Sequence, residues 1–189
     1  MIHPQACVSD SDVHETARVW QFASVIRGSV VGAECTVAAC AIVDNARLGE
    51  RCLIGHAASV HPGVTLGDNV FVGPGAVICN DSFPRIHKQG WNMALFDADH
   101  RAVIVDDGAS IGANATILPG VHLGAGSFVP AGSVCLKDVP AGHIWLANGM
   151  VFPLGDESER IQKRMRFASD LVRTPTWAET IREPAVSPR

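Results

Sequence analysis

The sequence predicts an all-β chain, a parallel β-helix of six-residue repeats, and three observations predict it. A small aliphatic residue returns at every sixth position, as Leu48, Ile54, Val60, Leu66, Val72 and Ile78, then as Val105, Ile111, Ile117, Leu123, Val129 and Cys135. Glycine often follows it, as at Gly32, Gly49, Gly55, Gly67, Gly73, Gly112 and Gly124. The beat breaks once, between Ile78 and about Val103. A period of six fits neither the 3.6-residue helix nor two-residue alternation along one straight strand. It fits a coil in which each hexad supplies one strand and one corner, three hexads closing a triangular turn.

Along the chain, Ile2 and Val8 are six apart, and Val13, Val19, Val25, Val31 and Val37 keep the same step. The five-residue steps from Val8 to Val13 and from Val37 to Ile42 read as one-residue deletions at corners, with Ile42 resuming the phase into Leu48. The glycines after the beat meet either a corner needing positive φ or a close stacked neighbour. The break, residues 79–102, is polar, aromatic and aperiodic, and a long excursion from a repeat scaffold is a candidate binding element. After Cys135 the pattern ends. From Asp156 to about Thr174, Ile161, Met165, Ala168 and Val172 recur at three- and four-residue spacing, which predicts an amphipathic helix stopped before Pro175 and placed to cover the last coil. The organisation expected is a solenoid domain over 1–150, including the loop 79–102, followed by a helix and tail over 151–189.

The 189 residues, 47% hydrophobic and 18% charged, suit one ordered domain. A net charge of -4 offers no electrostatic footprint for nucleic acid. No apolar run reaches membrane-spanning length, and Met1-Ile2-His3-Pro4 lacks the basic and apolar regions of a signal peptide, so a cytoplasmic location is the expectation. The six cysteines, Cys7, Cys35, Cys40, Cys52, Cys79 and Cys135, contain no Cys-x-x-Cys pair and read as buried free thiols that pack as small hydrophobes.

Over residues 2–150 the repeats resemble the left-handed β-helix of the hexapeptide-repeat acyltransferases. Within them, Asn80-Asp81-Ser82-Phe83-Pro84-Arg85 resembles the Asn-Asp-x-x-Pro-Arg excursion of the N-acetyltransferases acting on nucleotide-linked 3-amino sugars, and Gly108 to Gly120 is similar to the superfamily at large. The resemblance implies handedness, a homotrimer, and acetyl-CoA as co-substrate in a groove between neighbouring prisms. It places Ala113, Gly120, Ala131 and Gly132 along the pantetheine and Lys137 at a CoA phosphate. It places Asn80 and Asp81 at the sugar amine, where an amide oxygen accepts from the amine and a carboxylate orients or deprotonates it. An Asx corner launching the loop is the alternative. Arg85 is the candidate partner of a sugar-nucleotide phosphate, and Phe83, Trp91 and Phe96 are candidates for stacking on a base or packing on a neighbouring subunit.

His56 and His61 are candidate bases. The acidic residue that usually follows such a histidine is absent from His61-Pro62-Gly63, and by phase Pro62 occupies the usual base position. Corner packing or intersubunit hydrogen bonding is the alternative role, and the resemblance to the 3-amino-sugar enzymes implies a reaction without a dedicated histidine base, the amine arriving neutral and shedding its proton later; His14, His87, His100, His122 and His143 are weaker candidates. Three other functions compete. A hexapeptide O-acetyltransferase on a sugar or serine hydroxyl would need a histidine base more than an amine acceptor does. A γ-class carbonic anhydrase would use His56 and His61 as metal ligands, with His14 the nearest third. A non-catalytic scaffold would leave the polar excursion without a substrate. The expected function is acetyl transfer to a nucleotide-linked amino sugar, with no metal.

Overall fold

The computed structural model describes residues 1–82, 84, 102–146 and 148–155, and these form one compact unit, Met1–Gly155. It is an all-β parallel solenoid of about seven turns with three faces. The first face stacks seven strands: Cys7–Ser9, Ser24–Ile26, Ile42–Asp44, Ser59–Val60, Val77–Ile78, Thr116–Ile117 and Val134–Cys135. The second stacks six, Asp12–Val13, Val30–Val31, Arg47–Leu48, Val64–Leu66, Val103–Val105 and His122–Leu123. The third stacks eight, Arg18–Val19, Thr36–Val37, Leu53–Ile54, Phe71–Val72, Ser110–Ile111, Phe128–Val129, His143–Trp145 and Val151–Pro153. Every strand pairs in parallel with its counterpart one turn on, except that Val151–Pro153 runs antiparallel to His143–Trp145.

The six-residue beat is the inward column of each face. Val25, Val43, Val60, Ile78 and Ile117 stack in register on the first face and are fully buried. Burying each such side chain contributes about 1.5–3 kcal/mol relative to exposure. In the first turn, Val8 and Val13 are only half-buried, because among the described residues no further turn packs beneath them.

One slip sits elsewhere than the beat suggests. Val43, not Ile42, pairs with Val25 and Val60; Val43 is fully buried and Ile42 is 40% exposed. The short step therefore runs from Val43 to Leu48, across a corner where Asn45 takes a φ of 43°. The other short corner, after Val8, is turned by Asp10 at 50°. Asn and Asp tolerate the left-handed region better than other side chains, which lets a five-residue step close.

The glycines after the beat serve close stacking. A Cβ on Gly112 would lie 2.3 Å from the backbone nitrogen of Ala131 in the next turn. Positive φ belongs to a second set of residues two positions further on, among them Gly75, Asn114 and Gly132. The N–H of each donates to a carbonyl one turn below, as Gly132 does to Ala113 at 2.8 Å. Gly112→Ala is expected to lower stability by roughly 1–3 kcal/mol, as overpacking against backbone does, checked by thermal melting against a Gly155→Ala control, whose Cβ meets nothing within 4 Å.

The excursion is absorbed without loss of register. Val72 pairs with Ile111, and Ile78 with Ile117, a displacement of 39 residues where the neighbouring pair Ile54 and Val72 is displaced by 18. The extra 21 enter one corner, because Ala102 donates to Gly63 and accepts from Gly120 as an ordinary member of that stack. Ser82 and Pro84 are exposed, while residues 83 and 85–101 of the loop and the helix expected over 156–174 lie outside the described residues.

The repeat also outlasts Cys135. Val139 bridges Leu123, and Trp145 occupies the inward column of the third face above Val129, 1% exposed, with Nε1 donating to the Val134 carbonyl at 3.1 Å. Of the cysteines, Cys35, Cys52 and Cys135 are buried and Cys79 half-buried, but Cys7 and Cys40 are exposed, because their positions face outward on the first face and at a corner. All six are free thiols. Burial pushes the Cys135 thiol up to about 11, which leaves it protonated and inert at neutral pH.

Candidate active site

The three corners have different chemistry. The first, between the first and second faces, receives the excursion. It gathers His61, Asn80, Asp81, Gly120 and Lys137, since Val60, Ile78, Ile117 and Cys135 stack in register just before them. The third, between the third and first faces, carries His56, Ala113, Ala131 and Gly132. The candidate residues therefore divide into two sets on opposite edges of the first face. About six residues of extended chain, on the order of 15–20 Å, lie between successive corners.

At the first corner the deciding contact is made by His61, which is half-buried. Its Nδ1 lies 2.8 Å from the carbonyl oxygen of Ile78, the last strand residue before the excursion. A carbonyl only accepts, so Nδ1 carries the proton and Nε2 is left as the acceptor in the neutral ring. The sequence pointed to a missing acidic partner; a backbone carbonyl stands in that role. Cys79, beside His61 in the stack, has its thiol pushed up by burial, which argues against a thiolate nucleophile there.

Asn80 is half-buried between two prolines, Pro62 and Pro119, that occupy its position in the turns below and above. Its Nδ2 is buried and lacks a hydrogen-bond partner among the described residues. Asp81 is half-buried where the chain leaves the corner, Gly120 is exposed at a φ of 84°, and Lys137 is exposed. Phe83, Arg85, Trp91 and Phe96 lie outside the described residues, as do His87 and His100.

At the third corner His56 is exposed, and its carbonyl accepts from Gly75 at 2.8 Å. Its side chain lines an open groove of about 510 Å³ together with Trp20, Leu53, Phe71 and Pro74. The sequence reading did not single out this groove. Its signal was a run of uncharged corner residues, Gln21, Ala39, His56 and Pro74, beside outward Leu53 and Phe71.

The second corner is acidic. Asp68 and Asp107 each accept a backbone N–H at 2.8 Å, from Glu50 and Asp68 respectively, so the carboxylates tie successive turns together. Arg51 pairs with Glu50 at 2.6 Å and with Asp68 at 3.3 Å, exposed contacts of little energetic weight. His14 lies here, its Nδ1 2.9 Å from Thr16 Oγ1, so His14, His56 and His61 occupy three different corners. Among the described residues no group of three or more His, Cys, Asp or Glu is placed to hold a metal ion. His122 pairs with Asp106 at 2.8 Å and His143 contacts the Ala141 carbonyl at 2.8 Å.

Two stretches match family models built on this repeat. Residues 45–80 match the bacterial transferase hexapeptide (six repeats), and residues 102–136 match the hexapeptide repeat of succinyl-transferase, one on each side of the excursion. The chain is a hexapeptide-repeat protein. Among curated proteins, this hexapeptide-repeat chain is 32% identical over 147 residues to the bifunctional protein GlmU of Methylibium petroleiphilum, covering 78% of this chain and 29% of that protein. It is 40% identical over 80 residues to the 2,3,4,5-tetrahydropyridine-2,6-dicarboxylate N-acetyltransferase of Staphylococcus aureus, covering 42% of this chain and 28% of that protein. The chain thus spans less than a third of these relatives' length.

Solved structures share the fold. A GDP-perosamine N-acetyl transferase mutant from Caulobacter crescentus, in complex with CoA and GDP-perosamine, superposes with a TM-score of 0.54 at 22% identity, over 80% of this chain and 55% of that one. The acetyltransferase domain of PglB from Neisseria gonorrhoeae gives 0.52 at 21% identity, over 81% of this chain and 56% of that one.

Proposed function

We propose that this chain is an acetyl-CoA-dependent N-acetyltransferase acting on a nucleotide-linked amino sugar, foremost a 3-amino deoxysugar, as a homotrimer of left-handed solenoids. The observation that carries the reading is the His61 ring, oriented by the Ile78 carbonyl with Nε2 as acceptor, at the corner where the Asn80-Asp81 excursion begins. Support also comes from the repeat's match to transferase models and from relatives that include an N-acetyltransferase.

In this reading the neutral sugar amine attacks the thioester carbonyl of acetyl-CoA and forms the C–N bond. The tetrahedral intermediate expels the CoA thiolate. His61 Nε2 takes the proton the nitrogen sheds and returns it to the leaving sulfur. Asn80 and Asp81 hold the amine beside it. Lys137 offers an exposed ammonium to a CoA phosphate, and Gly120 offers a surface without a side chain to pantetheine. Arg85, Phe83 and Trp91 remain the candidates for the nucleotide. Ala113, Ala131 and Gly132 sit on another corner, so they can line the same CoA only if a neighbouring copy supplies them.

An O-acetyltransferase is the second reading. A neutral amine attacks with its lone pair and sheds its proton afterwards, whereas a hydroxyl must be deprotonated as it attacks, so its base gains from a carboxylate that stabilises the imidazolium. The neutral Ile78 carbonyl in that role favours the amine. CoA release across a panel of nucleotide-linked 3-amino and 4-amino sugars tests the proposal. Turnover with the 3-amino members is expected; no turnover with any member, from folded protein that binds acetyl-CoA by calorimetry, overturns it.

A further inference from the structure

The cations of the solenoid are unevenly placed. Among the described residues they are Arg18, Arg27, Arg47, Arg51 and Lys137. Arg18 opens the third face, and Arg51 is tied to Glu50 and Asp68 at the second corner. The other three stand at or beside the first corner. Register stacks Arg27, Asn45, Pro62, Asn80, Pro119 and Lys137 in one column there. Arg47 is the outward residue of the second face just past Asn45, between Val30 below and Thr65 above. It is exposed, and among the described residues it makes no ion pair or side-chain hydrogen bond.

Arg27 is held in one direction. Its Nε donates to Asp44 Oδ1 at 2.5 Å and its Nη2 donates to Oδ2, while its own side chain stays 65% exposed and Asp44 is buried. Asp44 lies directly beneath His61 in the stack, yet both its oxygens face the guanidinium, so it orients Arg27 and not the imidazole. The N–H groups of Nη1 stay uncommitted, and a guanidinium fixed on one edge presents a rigid fork to a second oxyanion. The nearest other acids below, Asp10 and Asp12, belong to the first turn, two turns under the level to which Arg27 reaches. Both guanidinium groups therefore stand about two turns, on the order of 10 Å, below Asn80, and Lys137 stands as far above it. That spacing is comparable to the reach from an amino group on a hexose ring to the diphosphate at its anomeric carbon. We propose that Arg27 and Arg47 form the diphosphate subsite of the nucleotide-linked sugar. The sugar nucleotide then lies along the lower half of the first corner and CoA along the upper half, and the two meet at His61 and Asn80.

The subsite rests on the amino-sugar reading for what the diphosphate carries, not for the diphosphate itself, so the test has two arms on the full chain. In the first, calorimetry measures binding of uridine, thymidine and guanosine diphosphate to wild type, Arg27→Gln, Arg47→Gln and, as control, Arg18→Gln on the third face. At least one of the three is expected to bind wild type and control alike, with Kd raised about 10–100-fold in the Arg27 and Arg47 variants, the size of a charge-assisted contact. In the second arm, KM for the amino-sugar nucleotide rises by a similar factor in both variants while KM for acetyl-CoA stays within twofold. Arg47 has no ion pair to lose, so Arg47→Gln keeps the test open should loss of the Asp44 pair unfold the Arg27 variant. No binding of any of the three diphosphates by folded wild type, or binding indifferent to Arg47, overturns the subsite. A rise in KM for acetyl-CoA alone gives the arginines to the diphosphate of CoA and overturns it as well. Arginine-dependent diphosphate binding without turnover of any amino sugar supports the subsite and overturns the amino-sugar reading instead.

Discussion

His61→Asn is expected to lower kcat/KM for acetyl transfer by about 10²–10⁴-fold, the usual contribution of a positioned general base, while leaving the melting temperature nearly unchanged. Asparagine keeps a side-chain N–H near the position of Nδ1, so the Ile78 carbonyl retains its donor, and the corner that launches the excursion keeps its form. What disappears is Nε2, the atom that takes the proton. His56→Ala, at the third corner, should not reproduce this loss. Steady-state CoA release with the preferred amino sugar measures both. A His61→Asn enzyme within threefold of wild type would mean that the amine sheds its proton to water or to Asp81, and that His61 only holds the loop.

Trp145→Ala is expected to be the most destabilising single substitution, at about 3–5 kcal/mol. Trp145 is the last inward residue of the third face, buried to 1% exposure, and its ring closes the end of the solenoid core beneath the antiparallel strand Val151–Pro153. Its removal opens a cavity and leaves the Val134 carbonyl without its donor. For a chain of this size the melting temperature should fall by roughly 6–20 °C. Trp145→Phe keeps most of the apolar contact and should cost about 1 kcal/mol for the lost hydrogen bond. A shift below 2 °C for the alanine variant would mean that the end of the solenoid is held by something other than this side chain.

The sequence made the inward columns legible because burial leaves little choice at them: a position facing the interior in every turn must be small and apolar, and the period follows. It could not place the short step near residue 42. Ile42 and Val43 are both aliphatic, so either satisfies the beat, and the choice is made by the left-handed Asn45 two residues later. The repeat's last turn was missed for a related reason. Val139 comes four residues after Cys135 rather than six, Trp145 six further on is not a small aliphatic residue, and the turn carrying Asn148-Gly149 was the local sign that a strand would return there. At the candidate site, residue types were readable and partners were not. Nothing in His61-Pro62-Gly63 says that a carbonyl 17 residues away orients the imidazole, since that contact exists only once the next turn stacks. The division of the CoA candidates between two corners was likewise invisible until the phase fixed which hexad turned where.

The most direct measurement pairs two acceptors that differ in one atom: CoA release from acetyl-CoA with a nucleotide-linked 3-amino sugar and with its 3-hydroxy counterpart, on the same full-length protein. Acetyl transfer to the amine, abolished or strongly reduced by His61→Asn, with no measurable transfer to the hydroxyl, is the predicted result. Transfer to the hydroxyl alone would contradict the assignment of this corner as an amine-acetylating site, and amine acetylation indifferent to His61 would contradict the assignment of His61 as its base.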